Sequence, residues 1–135
     1  MAEKKKGPVV GRRKSAVARA MVRPGSGKVY INGRSLDSYE PELARMRIRE
    51  PLDILEDMVK KLDIYVNVAG GGFMGQADAS RTAIARALIE YSGDEQLHDK
   101  LKALEWTLVK SDVRRKEAGK PGGPGARAKY QKSYR

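Results

Sequence analysis

The chain predicts an α+β domain, with helices on one side of a small sheet, followed by a basic tail. Three patterns predict it. Short runs alternate apolar and polar residues with the period of two of a strand, and longer runs repeat apolar residues at three and four, the helical spacing. These segments interleave as strand–strand–helix–strand–helix–helix–strand, which makes a mostly four-stranded sheet with its helices on one face. After about residue 111 the aliphatic residues almost vanish and Pro121-Gly122-Gly123-Pro124-Gly125 excludes both helix and sheet. The expected division is a basic disordered lead over 1–8, a globular domain over 9–112 and an extended tail over 113–135.

The elements follow in order. From Ser15 to Arg23, Ala16, Ala18, Ala20 and Val22 share one face of a strand, and Val17, Arg19, Met21 and Arg23 share the other. Pro24-Gly25-Ser26-Gly27 reads as a hairpin-type connection to a second strand, Lys28-Val29-Tyr30-Ile31, closed by the turn pair Asn32-Gly33. Residues 36–61 read as two helical pieces, Leu36–Arg47 and a second that starts at Pro51. In the second, Leu52, Leu55, Val59 and Leu62 recur at helical spacing, while Asp53, Glu56 and Asp57 face water. Leu62, Ile64, Val66 and Val68 then alternate with Asp63, Tyr65 and Asn67, the clearest strand of the chain. A helix over Gln76–Tyr91 presents Ala77, Ala83, Ile84, Ala87, Leu88 and Tyr91 to the core, and its many alanines predict a close approach to the sheet. Ser92-Gly93-Asp94-Glu95 has capping-box spacing and opens a shorter helix that buries Leu97, Leu101 and Leu104. Trp106, Leu108 and Val109 form the last strand.

Charge is segregated along these 135 residues. Residues 1–19 carry seven Lys/Arg and one acid, and residues 110–135 carry nine against two, so the two ends hold +6 and +7 of a net +11. The intervening ninety residues are slightly acidic, at −2. A near-neutral body with two cationic ends suits a polyanion, and nucleic acid more than a membrane surface. A polybasic membrane binder pairs its charge with an amphipathic helix or a lipid anchor, and neither end has one. No run of eighteen apolar residues is present, and the first eight residues lack the apolar stretch of a secretory signal. With no cysteine and only His98, thiolate metal sites, disulfides and a His-dependent triad are all excluded or hard to assemble.

Gly70, Gly72 and Gly75 satisfy G-x-G-x-x-G between a strand and a helix, the setting of a dinucleotide loop. The partner acid expected about twenty residues on should end a second parallel strand, yet Asp94 and Glu95 lie at a helix cap. No Lys-Ser or Lys-Thr follows, which excludes a P-loop. Two readings stay open: a structural strand-to-helix turn, and a turn that offers backbone amides to an RNA phosphate. Arg12-Arg13-Lys14-Ser15 abuts a strand, and continued alternation would put Arg13, Ser15 and Arg19 on one RNA-facing side. In the tail, Arg127, Lys129, Lys132 and Arg135 interleave with Tyr130 and Tyr134, pairing phosphate neutralisers with rings that stack on bases or pack on sugars. Residues 119–135 reach roughly 55 Å at about 3.3 Å per residue. Asp53, Glu56 and Asp57 lack any cue for a cleft, so no catalytic constellation is expected.

These motifs closely resemble the universal S-nine family of small ribosomal subunit proteins, over nearly all of residues 9–135. Gly11-Arg12-Arg13-Lys14-Ser15-Ala16-Val17-Ala18-Arg19 looks like its opening block, and Ile31-Asn32-Gly33-Arg34-Ser35-Leu36 like its second. Gly70-Gly71-Gly72, Gly75, Gln76, Ala79, Ala83 and Ala85-Arg86-Ala87-Leu88 fit its signature. The resemblance implies a two-layer fold like the second domain of the fifth small-subunit protein, with a left-handed βαβ crossover. It also implies a structural, non-enzymatic role in the small-subunit head, in the cytoplasm, without cofactor, metal, membrane or small-molecule substrate. The partners implied are small-subunit ribosomal RNA, neighbouring head proteins and peptidyl-site tRNA. Expected ribosomal RNA contacts are Arg12, Arg13, Lys14, Arg19, Gly70, Gly71, Gly72, Gly75, Gln76, Arg81, Arg114, Arg115, Lys116, Lys120 and Arg127. Expected tRNA contacts are Lys129, Lys132, Tyr134 and Arg135. Bacterial members end Ser-Lys-Arg, whereas this chain ends Ser133-Tyr134-Arg135, an ending that together with the short N-terminus and the Pro-Gly tract looks archaeal. Tyr134 thus stands where a phosphate-reaching lysine would, and its contact is a stack on a base or packing on the backbone.

Overall fold

The computed structural model describes residues 7–110 and 112–131. The lead over 1–6, Ser111, Lys132, Ser133, Tyr134 and Arg135 lie outside the described residues. Among the described residues five strands form one mixed sheet: β1 (Val9–Arg13), β2 (Ala16–Pro24), β3 (Val29–Ile31), β4 (Arg34–Ser35) and β5 (Leu62–Ala69), in the order β1-β2-β5-β3-β4. Only β3 and β5 run parallel. Among the described residues four α-helices accompany it: α1 (Glu42–Ile54), α2 (Glu56–Val59), α3 (Phe73–Ser92) and α4 (Glu95–Leu104).

Three of the four expected strands are present and β4 is new, as is β1. Its Val9-Val10 pair is short and its glycine and two arginines hide the alternation, yet Gly11 pairs with Ala18 and Arg13 with Ala16 across a tight turn at Lys14-Ser15. Lys14 takes φ +53° to close that turn. The break reverses the chain, so Arg13 does not share a face with Arg19. Gly11 and Arg13 lie toward α3, while Arg12 lies beside Val17 on the opposite face, where Arg19 also sits.

The connection after β2 is also not a hairpin. Strand β5 runs between β2 and β3, pairing with both. The loop 24–28 instead wraps the start of β5: Gly25 N and Gly27 N donate to the Lys61 and Leu62 carbonyls at 3.0 Å, and one Asp63 carboxylate oxygen accepts from Ser26 N and Lys28 N at 3.1 Å. The Asn32-Gly33 turn is as expected. Both residues have positive φ, the requirement of the favoured two-residue hairpin, here between β3 and β4. The Asn32 side chain meanwhile exchanges two hydrogen bonds with the backbone of Val68, continuing the ladder.

The helices differ from expectation mainly at their ends. Helix α1 starts at Glu42 and continues through Pro51 to Ile54, so Pro51 lies inside a helix rather than opening one. The break falls at Leu55, whose ψ of 33° leaves the helical range. Helix α3 ends on Gly93 in the left-handed conformation, and Asp94, not Ser92, caps α4 by accepting from Gln96 N. Residues 106–108 form a 3₁₀ turn, not a strand.

The core lies between the sheet and α1 and α3. Ala16, Ala18, Ala20, Ile31, Ile64, Val66 and Val68 face Ile48, Ala79, Ala83, Ile84 and Leu88, all buried. Small residues on both sides set the spacing: a Cβ on Gly11 would sit 2.4 Å from the Ala79 carbonyl oxygen and 2.5 Å from Ala83 N. Tyr91 and Leu104, expected in the core, are exposed, because α3 outruns the sheet and α4 buries little beyond Leu101. From Val113 to residue 131 there is no helix or strand.

Candidate nucleic-acid interface

The arginines fall into two groups, separated by whether the protein already neutralises them. The first group gathers where β1, α3 and the segment 105–115 meet. Arg81, on α3, is buried, with Glu50 at 2.9 Å and Glu105 at 3.5 Å from its guanidinium. Its Nη2 also donates to Thr107 Oγ1. Arg86 donates to the Val109 carbonyl at 2.7 Å and the Val10 carbonyl at 3.0 Å. Arg13 faces Asp112 at 3.4 Å and Asp78 at 3.9 Å, and Asp78 also binds Arg47.

Asp112 forms the join to the tail. It makes a bridge to Arg13 and accepts from the Arg114 side chain at 2.7 Å. Its carboxyl is held far below the ordinary carboxylate range, first by that side-chain hydrogen bond, then by the Arg114 backbone N–H, with the Arg114 and Arg13 charges adding and burial opposing. Asp112 in turn raises Arg114. Arg13 Nη1 reaches the Arg114 carbonyl at 3.4 Å, and Arg115 Nη2 reaches the Lys14 carbonyl at 3.2 Å. The tail root is thus fastened beside the β1–β2 turn. Further along, Glu117 pairs with both Lys120 and Arg127, on exposed surface.

The second group is unneutralised. Arg12 and Arg19 are exposed, and their side chains make no hydrogen bond or ion pair with another described residue; the Arg23 side chain has only the ring of Tyr65, whose centroid is 5.7 Å from its guanidinium carbon. Lys14, Lys116 and Lys129 are exposed in the same way.

The glycine loop is explained by packing first. Gly70 and Gly71 have φ of +81° and +67°, and a Cβ on Gly70 would lie 2.4 Å from the Ser15 carbonyl oxygen. Gly72 starts α3 without a side-chain cap, and Gln76 ties the loop by donating to the Gly70 carbonyl at 3.2 Å. Gly75 is less demanding, since a Cβ there would lie 3.8 Å from Ala16 Cβ and the Arg13 carbonyl oxygen, an ordinary contact. The loop therefore rests on the β1–β2 turn, which brings Lys14 and the start of α3 together. A doubly wound parallel sheet, which a dinucleotide loop needs, is not what this sheet is.

The sequence-predicted residues therefore divide. Arg81 is buried and doubly paired, so a structural role accounts for it. Arg13, Arg114 and Arg115 meet the protein's own oxygens. Arg12, Lys14, Arg19, Lys116 and Lys129 are open to a ligand, and Lys132, Tyr134 and Arg135 lie outside the described residues. Asp112, Asp78 and Arg86 were not foreseen. An arginine within a helix of small residues, at Ala85-Arg86-Ala87, was the one available signal, because such a side chain has to cross a buried face to reach a polar partner.

Among the described residues no group of three His, Cys, Asp or Glu could hold a metal, and no helix is long and apolar enough to cross a membrane. Comparison with known proteins gives a consistent result. The family model described as ribosomal protein S9/S16 matches residues 11–135. A Halobacterium salinarum protein named small ribosomal subunit protein uS9 is 52% identical over 126 residues, covering 93% of this chain and 96% of its own length. Proteins of the same name from Picrophilus torridus and Thermoplasma acidophilum are 53% and 54% identical, each over 93% of this chain and over 95% and 97% of theirs.

Proposed function

We propose that this chain, which belongs to the ribosomal protein S9/S16 family, is a structural constituent of the small ribosomal subunit that acts by binding RNA and catalyses nothing. The observation that carries this reading is the match along residues 11–135, which takes in Arg12, Arg13, Lys14 and Arg19, the near-neutral body and the whole C-terminal cationic segment. The mechanism is electrostatic. Cations without a protein partner neutralise phosphates, displace condensed counterions and so favour one packing of the folded RNA.

The finer assignments belong to the same proposal. The domain binds small-subunit ribosomal RNA in the head, next to other head proteins and in the cytoplasm, and its chain crosses from β3 to β5 with the left-handed sense of the fold named above. The segment from residue 113 is an extended basic arm whose last residues, Lys129, Lys132, Tyr134 and Arg135, meet the peptidyl-site tRNA. The tail root supports this arrangement, because Asp112, Arg114 and Arg115 fasten the start of the arm and fix where it leaves the domain.

The test has two parts. Ribosomal RNA affinity should fall by orders of magnitude between 50 and 200 mM salt, and a flat response would contradict RNA binding through phosphates. Removing residues 130–135 should leave the Tm of the domain and ribosomal RNA assembly intact while weakening tRNA at the peptidyl site. Undiminished tRNA binding would refute the role of the arm.

A further inference from the structure

Among the described residues the sheet has helices on one face only, and its other face carries a pattern that burial does not explain. Register places Val10 and Arg12 of β1, Val17, Arg19, Met21 and Arg23 of β2, Asp63, Tyr65, Asn67 and Ala69 of β5, and Tyr30 of β3 on this bare side. A face left to plain solvent needs no cations in one zone without counter-charges. Here Arg12, Arg19 and Arg23 are exposed and have no carboxylate partner among the described residues. Asp63 is the one carboxylate on this side among the described residues, and the Ser26 and Lys28 amides already satisfy it.

The face is also ordered. Tyr30 and Tyr65 stack with ring centroids 5.4 Å apart and planes 11° apart, and Arg23 approaches Tyr65 from the neighbouring strand on the other side. The three form a row, Tyr30–Tyr65–Arg23, across β3, β5 and β2. Tyr65 is thereby flanked from both neighbouring strands and still stays 41% exposed. Such a row offers donors and ring edges to a sugar–phosphate backbone rather than a flat ring to a base. Arg19 and Arg23 stand four residues apart on one strand, roughly 13 Å at about 3.3 Å per residue, a spacing that meets separate phosphates.

We propose that this bare face is a second RNA-docking surface, on which Arg12, Arg19 and Arg23 neutralise phosphates while Tyr65, backed by Tyr30, holds Arg23 in place against the backbone. It rests on the RNA-binding reading above and adds to it the sheet face that Arg12, Arg19 and Arg23 share. Three unpaired cations outnumber the single Asp63 carboxylate, which is engaged by the amides of the loop 24–28, and this balance commits the occupant to a polyanion.

Titration of full-length protein with a small-subunit ribosomal RNA head fragment at several salt concentrations tests this. The Arg12→Gln, Arg19→Gln, Arg23→Gln triple variant should bind at least tenfold more weakly at moderate salt. Its log–log salt slope should be shallower by roughly 2 to 3, since each neutralised phosphate contributes about 0.7 to 0.9. Its Tm should stay within a few degrees of the parent, because all three side chains are exposed, and the matching triple lysine variant should restore most of the slope. Unchanged affinity and slope in the glutamine variant, with the parent still binding, overturns this surface alone. A parent that binds no RNA overturns the broader function. A photocrosslinker at position 65 that captures a neighbouring protein instead of RNA in the assembled subunit also overturns the surface.

Discussion

The tail root and the bare sheet face are both rich in arginine, and they put it to opposite use. At the root, Arg13, Arg81, Arg86 and Arg114 each have protein oxygens within reach, and Arg81 is buried between two glutamates. On the sheet, Arg12 and Arg19 have none among the described residues, and Arg23 has only a ring. The root spends its cations on joining β1, α3 and the arm, and the sheet keeps its cations for an external anion. A basic residue is therefore informative only together with what already neutralises it.

The comparison predicts a graded series of effects. The largest should come from Gly11→Ala, because its Cβ would meet α3 backbone that cannot turn aside. A loss of about 3 kcal/mol is expected, read as a drop in Tm. Arg81→Ala should come next, at about 2 kcal/mol, below the range for a fully buried pair because Glu50 and Glu105 are half exposed. RNA-binding salt slope should be unchanged in this variant once it is folded. A shallower slope would move Arg81 to the other group.

Asp112→Asn should have a smaller effect on Tm but should expose the chain between residues 110 and 120 to protease. Its pH dependence has a definite sign. The carboxyl is held below its ordinary value in the folded protein, so the stabilisation is complete above the unfolded pKa of about 4. It is lost as pH falls through the lower folded value. Protection of the tail root should therefore persist from pH 7 to about 4 and fail only in stronger acid, and loss near pH 6 would point to another group. The smallest stability effect should be that of Arg19→Gln, within about 0.5 kcal/mol, with RNA affinity reduced all the same.

The legibility of the molecule in its sequence follows the same division. Strand β5 was clear because Leu62, Ile64, Val66 and Val68 alternate without interruption, and Asn32-Gly33 was clear because few residue pairs suit a turn with two positive φ values. Strand β1 was missed because Gly11 replaces the side chain that would have continued the pattern, for the reason that α3 backbone occupies its space. The loop at residues 24–28 read as a hairpin because glycine and proline mark a reversal without saying which strand follows as neighbour; the decisive residue, Asp63, lies far along the chain. Charge segregation was legible in the order of residues, but which arginines pair internally depends on Glu50, Asp78, Glu105 and Asp112 arriving from distant elements. The bare face was legible only through Arg19, since alternation put Arg13 rather than Arg12 beside it and the Tyr30–Tyr65 pairing needs the parallel register of β3 and β5.

Arginine-specific chemical modification, read residue by residue by mass spectrometry with and without small-subunit ribosomal RNA, tests the division most directly. Arg12, Arg19 and Arg23 should react readily in the isolated protein and become protected on RNA binding, while Arg81 stays unreactive throughout. Equal reactivity of those three in the presence and absence of bound RNA would contradict the account.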